Sequence, residues 1–182
     1  PDKASHIASL IMEAMNTDCC QNFAGPHHTL VDFHQMMERL VKMEDSQYSY
    51  LNTLVASNSE GIITGILVAY DGARLKELRR QFIKEAIVSF GIDYSAMDAE
   101  TEAGEFYLDS LAVSSSFRGK GIAKQLLAAA IEKARELGIH KVGLLVDKGN
   151  PRAEKLYTKV GFEYVNDTVW GGHGMRHLQY TI

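Results

Sequence analysis

Between a strand-like run ending at Val113 and a helical stripe beginning at Ile122, the chain reads Ser114-Ser115-Ser116-Phe117-Arg118-Gly119-Lys120-Gly121-Ile122-Ala123. A helix start carries amides with no partner inside the helix, together with the positive end of the helix dipole, and here Arg118, Lys120 and Lys124 surround it. Gly119 and Gly121 let the backbone come close to a ligand and take dihedrals closed to other residues. The stretch therefore reads as an anion cradle, the plainer alternative being a glycine-rich turn that only starts a helix. Two familiar phosphate patterns do not fit it. A Walker loop needs four residues between its first glycine and a Gly-Lys pair that Ser or Thr follows, and the dinucleotide fingerprint needs a third glycine where Lys124 stands. Triphosphatase and Rossmann oxidoreductase chemistry are both disfavoured.

Other reactive side chains carry less. Cys19, Cys20, His27 and His28 match no zinc spacing, and with no second cysteine pair no metal is expected. Adjacent cysteines are poorly placed for a disulfide, which fits a reducing compartment. His173 and His177 lie an even number apart on a late strand or its turn and could share a face against an acceptor, although surface or satisfied positions are the commoner fate. No Ser or Cys nucleophile motif is present.

These groups need elements to hold them. A length of 182 residues suits one compact domain, and 46% hydrophobic residues with 23% charged ones and 3 prolines exclude disordered and fibrous classes. Nineteen basic against 23 acidic residues leave a net charge of -4, so nothing draws the chain in bulk to nucleic acid or an anionic membrane. Apolar runs fall short of the roughly 20 residues a bilayer span needs, and no secretory signal opens the chain. Pro1-Asp2-Lys3 reads as a helix start, followed by Ile7, Leu10, Ile11, Ala14 and Met15 at helical spacing. Residues Thr17 to Thr29 read as a loop and Leu30 to Val41 as a second helix. A hairpin turns at Asn58-Ser59-Glu60-Gly61, and a third helix runs from Arg74 to Phe90 before an acidic loop to Gly104. Strand Glu105 to Val113, helix Ile122 to Leu137 and strand Lys141 to Val146 form a right-handed βαβ crossover with parallel strands. A short helix opens at Asn150-Pro151 and stops at Gly161, and two final strands flank Trp170-Gly171-Gly172. The class is α/β.

The turn resembles the acyl-CoA motif of the GNAT superfamily of N-acetyltransferases, Arg or Gln, two residues, Gly, one residue, then Gly or Ala, which Arg118, Gly121 and Ala123 fill. A second block, Asn150-Pro151-Arg152-Ala153-Glu154-Lys155-Leu156-Tyr157-Thr158-Lys159-Val160-Gly161-Phe162, is similar to that family's Asn-x-x-Ala-x-x-Leu-Tyr-x-x-x-Gly-Phe segment at every named position. The resemblance implies a mixed central β-sheet flanked by helices, with parallel strands splayed at the cofactor site. It implies acetyl-CoA as cosubstrate, its diphosphate held by the amides of Arg118, Gly119, Lys120, Gly121, Ile122 and Ala123, beside Lys124. Leu111, Ala112 and Val113 would pair with the pantetheine as another strand, and one of their amides would face the thioester oxygen. Tyr157 would protonate the departing thiolate, where a lone helix Tyr would otherwise be read as core. Asn150 would cap its helix, bond the pantetheine arm, or do both.

Direct transfer in a ternary complex also implies a base for the amine. Asp109 is the first candidate and Glu105 the second; four apart on a strand, they share a face if no bulge intervenes. A solvated or paired carboxylate is the plainer reading of either. The chain is read as one domain over 1–182 with a helical segment inserted at about 73–103, placed to cover the acceptor cleft or to form a homodimer contact. It begins at a helix where the family begins with a strand. The expected protein is a cytoplasmic N-acetyltransferase acting on a small-molecule or peptide amine, without nucleic acid or membrane partners. The alternatives are a non-catalytic acyl-CoA sensor and a nucleotide-binding α/β module that shares only the glycine turn.

Overall fold

The computed structural model describes residues 3–182, so Pro1 and Asp2 of the expected helix start lie outside the described residues. Helix α1 (Ala4–Met15) buries Ile7, Leu10 and Ile11 along one stripe. It is broken at Asn16, whose φ of 70° no helix tolerates, and the Asn16 side chain then accepts from the Cys19 amide at 2.9 Å. That cap starts α2 (Thr17–Ala24), which corrects the expected loop from Thr17 to Thr29. Only Cys20 and Ala24 are buried on it, too few apolar positions to register as a period. Helix α3 (Leu30–Lys42) opens with a reciprocal Thr29–Asp32 capping box and buries Phe33, Met36, Met37, Leu40 and Val41.

The hairpin of β1 (Thr53–Ser57) and β2 (Ile63–Asp71) follows, then α4 (Leu75–Phe90), which ends at Gly91 in the left-handed region. Strand β3 (Phe106–Val113), helix α5 (Ile122–Glu136), strand β4 (Lys141–Asp147), helix α6 (Pro151–Val160) and strands β5 (Glu163–Trp170) and β6 (His173–Thr181) complete the chain. The sheet runs β1-β2-β3-β4-β6-β5, and among its neighbours only β3 and β4 are parallel. Helices α1 to α4 pack an apolar core on one face; α5 and α6 pack another on the opposite face. This is the helix-flanked mixed sheet that the resemblance implies.

Two irregularities in the sheet matter for chemistry. Strands β3 and β4 pair only at Phe106–Val142 and Tyr107–Gly143, then diverge toward their carboxyl ends. The closed end is held by Glu105, buried against Gly143, whose carboxylate accepts from Thr101 at 2.7 Å, Gln179 at 2.8 Å and His177 at 2.9 Å. These bonds tie the start of β3 to β6 across β4. A Cβ on Gly143 would lie 1.9 Å from the Glu105 Oε2, and a carboxylate fixed by three bonds cannot swing aside cheaply. Gly143→Ala is therefore expected to lower stability by about 2 kcal/mol in chemical denaturation. An unchanged midpoint would show that this clamp is loose.

The second irregularity is a β-bulge. Val68 of β2 faces Ser110 and Ala69 faces Leu108, leaving Asp109 as the extra residue of β3. The condition attached to the Glu105–Asp109 pairing therefore fails at Asp109 itself. Bulges re-aim side chains where a strand borders a site.

Candidate active site

The gap between β3 and β4 opens into a cleft of about 1160 Å³. Asp109, Ser110 and Leu111 line it from β3, Leu145 to Asp147 from β4, and Asn150, Ala153 and Tyr157 from the start of α6. Its other walls come from α1 and α2, from the loop after α4 through Tyr94, Met97 and Glu100, and from Trp170 at the last hairpin. A crevice at the carboxyl ends of parallel strands is where open α/β sheets take ligands.

Asp109 is the carboxylate the bulge delivers to this cleft. Its Oδ2 accepts from the Tyr70 hydroxyl at 2.8 Å and from Gln47 Nε2 at 3.2 Å, and its Oδ1 from the Ser110 hydroxyl at 2.8 Å. Burial pushes the Asp109 carboxyl above the usual carboxylate range, against the lowering effect of those bonds. Burial likewise drives the phenols of Tyr48, Tyr70 and Tyr107 well up, the Asp109 charge adding to it, so their protons stay on at neutral pH. Glu105 does not join Asp109, for its carboxylate is absorbed in the strand clamp. Burial alone would raise it; the bonds from His177, Thr101 and Gln179 outweigh that and hold it below its ordinary value.

Tyr157 faces the cleft from α6, its ring edge-on to Phe162 at 6.0 Å between centroids. Burial pushes its phenol up to about 12, and no hydrogen bond within the described residues contributes to that shift. Asn150 is the N-cap of α6, accepting from the Ala153 amide at 3.1 Å.

The glycine turn lies beyond the open end of β3, outside the cleft lining. Gly119 and Gly121 have φ of 76° and 80°, and a side chain at either would meet only open space. The first bond within α5 runs from Gln125 N–H to the Gly121 carbonyl at 3.2 Å, so the amides of Ile122, Ala123 and Lys124 have no helical acceptor. The Arg118 side chain lies along the surface, donating to the Val113 carbonyl at 3.1 Å and pairing with Glu13 of α1. It braces the turn against strand and helix, while Lys120 lies over the Phe117 ring at 5.0 Å. Beyond Tyr107, β3 has no β4 partner, which leaves Leu111, Ala112 and Val113 on an unpaired edge.

The two late histidines part company. His177 belongs to the Glu105 clamp, whereas His173 lies at the cleft rim, 3.7 Å from Asp147. Cys19 lines the cleft, its thiol raised by burial and then by the Asp109 charge. Sequence reasoning passed over Gln47, Phe23, Tyr94 and Trp170. None sits in a motif; the one available signal was that Trp170 is the chain's only tryptophan, beside a Gly-Gly turn.

A family model described as the acetyltransferase (GNAT) family matches residues 77–162. An acetyltransferase of Agrobacterium fabrum is 33% identical over 113 residues, which are 62% of this chain and 81% of that protein. A ribosomal-protein alanine N-acetyltransferase of Haemophilus ducreyi is 34% identical over 101 residues, 56% of this chain and 65% of its own length. Among solved structures, an acetyltransferase crystal structure superposes with a TM-score of 0.78 at 27% identity, over 100% of this chain and 95% of that one. An N-acetyltransferase from Staphylococcus aureus shares the fold, with a TM-score of 0.82 at 23% identity over 99% and 96% of the two chains. The chain belongs to the GNAT family of acetyltransferases.

Proposed function

We propose that the protein moves the acetyl group of acetyl-CoA to a primary amine by direct attack within a ternary complex. The observation that carries this reading is the parting of β3 from β4 after Tyr107, with Asp109 on one wall of the gap and Tyr157 on the other. The residues present fit the cosubstrate: the unpartnered amides at the start of α5 suit a diphosphate, and the open space at Gly119 and Gly121 lets it approach the backbone. The free edge at Leu111 to Val113 suits an amide-bearing arm, and Asn150 stands where it can bond it.

Acetyl-CoA, as substrate, supplies an acetyl group on a good leaving group. The chain's own residues manage two protons. Asp109 takes the proton the ammonium must lose before its nitrogen attacks the acetyl carbon, the second nitrogen proton passes to solvent as the C–S bond breaks, Tyr157 gives one to the departing sulfur, and solvent restores both groups. A main-chain amide between Leu111 and Val113 donates to the carbonyl oxygen where charge gathers. Glu105 is left out of the chemistry because three bonds occupy it at the closed end of the strands.

Acetyl-CoA at about a hundred times its dissociation constant is expected to raise the thermal midpoint by about 5 °C, since a ligand of the native state alone stabilises by about 2.7 kcal/mol at that excess. No shift would sink the cofactor assignment. Release of thiol with an amine panel then separates an enzyme from an acyl-CoA sensor that binds without turnover. Cys19 and Cys20, both free, suit a reducing compartment such as the cytoplasm. No helix among the described residues is long and apolar enough to cross a membrane.

A further inference from the structure

The cleft has a definite chemical character. Asp18, Glu100, Asp109 and Asp147 line it, and among the described residues no lysine or arginine does. The buried guanidinium of Arg79, which does not line the cleft, pairs with Glu100 and donates to the carbonyls of Met97 and Asp98 at 3.1 and 2.9 Å, leaving its Nε without a partner among the described residues. The α2 amino terminus, which could otherwise receive an anion, carries Asp18 in its first turn and has the Asn16 side chain on its Cys19 amide. At the α6 terminus Asn150 caps the Ala153 amide and Glu154 follows. His173, the one basic side chain among the described lining residues, sits beside Asp147 at the rim.

The same lining holds a connected group of aromatic rings. Phe23 meets Tyr94 at 5.1 Å and Phe82 at 5.3 Å, both edge-on, and Trp170 at 6.3 Å. Gln47 is 2% exposed and gives its Nε2 to Asp109, which leaves its Oε1 a buried acceptor with no partner, on a side chain that lines the cleft. The indole Nε1 of Trp170 is likewise buried without a partner among the described residues, so the lining offers an unmatched acceptor at Gln47 and an unmatched donor at Trp170. Unmatched buried acceptors call for a donor, an unmatched indole N–H suits a polar substituent on an aromatic ring, and aromatic faces favour apolar or cationic bodies.

We infer that the acceptor is an arylalkylamine: a primary amine on a short arm, with an aromatic body and no carboxylate. Its ring packs against Phe23, Tyr94 and Trp170, and its nitrogen donates to Gln47 Oε1 within reach of Asp109. An amino acid is rejected, because its carboxylate would enter beside Asp18, Asp109 and Asp147 with no lysine or arginine among the described lining residues to meet it, Arg79 being paired with Glu100 behind the lining. A polyamine gains from the acidic lining but leaves the aromatic wall unused. The inference rests on the acetyl-transfer reading for the purpose of the bound amine, and the pocket chemistry itself is testable without turnover.

The test is calorimetric titration of the protein, both free and loaded with CoA, with 2-phenylethylamine, phenylalanine, n-butylamine and spermidine. The first two ligands differ only by a carboxylate. The expected result is binding of 2-phenylethylamine at least about thirtyfold tighter than phenylalanine, and tighter than butylamine or spermidine by about tenfold. Trp170→Leu is expected to weaken 2-phenylethylamine about tenfold and butylamine by less than about threefold, with the thermal midpoint reporting whether the variant folds. Equal binding of amine and amino acid, preference for spermidine, or no binding by any of the four overturns the inference; the wild-type comparison decides even if the variant is unstable. Absence of a CoA-induced shift sinks the transfer reading instead, and the preference measured on the free protein still judges the pocket.

Discussion

Asp109→Asn is expected to lower kcat/KM at neutral pH by about a hundredfold, the low end of what a positioned base contributes. The loss should shrink as pH rises and the amine arrives already deprotonated, so equal losses at pH 7 and pH 10 would argue against a base. The sign of the stability effect separates catalysis from folding. Burial lifts the Asp109 carboxyl above its ordinary value, so the folded state holds that proton more tightly than the unfolded chain. Native stability therefore falls as pH climbs from the ordinary Asp value through the raised one, and above that window the ionised group is a net cost. A neutral amide removes the cost, and Gln47 can turn its free Oε1 to accept from the new NH₂ group while Tyr70 and Ser110 rotate their hydroxyls. The variant should thus be slow yet as stable as the parent at pH 7, or more so, in chemical denaturation. A slow and unstable variant would mean that Asp109 serves the fold.

What was legible in the sequence is what local chain chemistry dictates. The turn at Arg118 to Ala123 and the block from Asn150 to Phe162 are contiguous, and each declares its glycine, cap and aromatic within a dozen residues. Helices α1, α3, α4 and α5 show apolar stripes long enough to set a period, whereas α2 depends on Asn16 breaking one helix and capping the next. The bulge at Asp109 was invisible because it exists only in the pairing with β2, some forty residues earlier. The clamp at Glu105 was hidden for a similar reason: its partners His177 and Gln179 lie on the last strand, and nothing near Glu105 announces them. The acceptor wall draws Phe23, Tyr94 and Trp170 from three distant places, and burial alone makes them one surface. The loop after α4, which reads as acidic and polar, reaches the cleft because Arg79 fastens it through Glu100 and two carbonyls.

Tyr157→Phe tests the other end of the reaction and should reduce kcat by about tenfold to a hundredfold, with little change in the affinity for CoA. The expected loss is smaller than for Asp109 because a thiol has an ordinary pKa of about 8.5, so its anion leaves tolerably well without a proton. The phenol is nevertheless well suited to the task. Burial holds its pKa at about 12, so the proton is present at working pH, and the hydroxyl makes no bond among the described residues that would divert it. That missing partner also makes the substitution clean. The ring keeps its edge-on contact with Phe162 at 6.0 Å, and no internal hydrogen bond is lost, so the thermal midpoint should hold. A packing role predicts the same midpoint with full activity. The two readings therefore diverge on rate alone, and the residual rate should recover with thioesters whose thiols are more acidic, because they need the Tyr157 proton least.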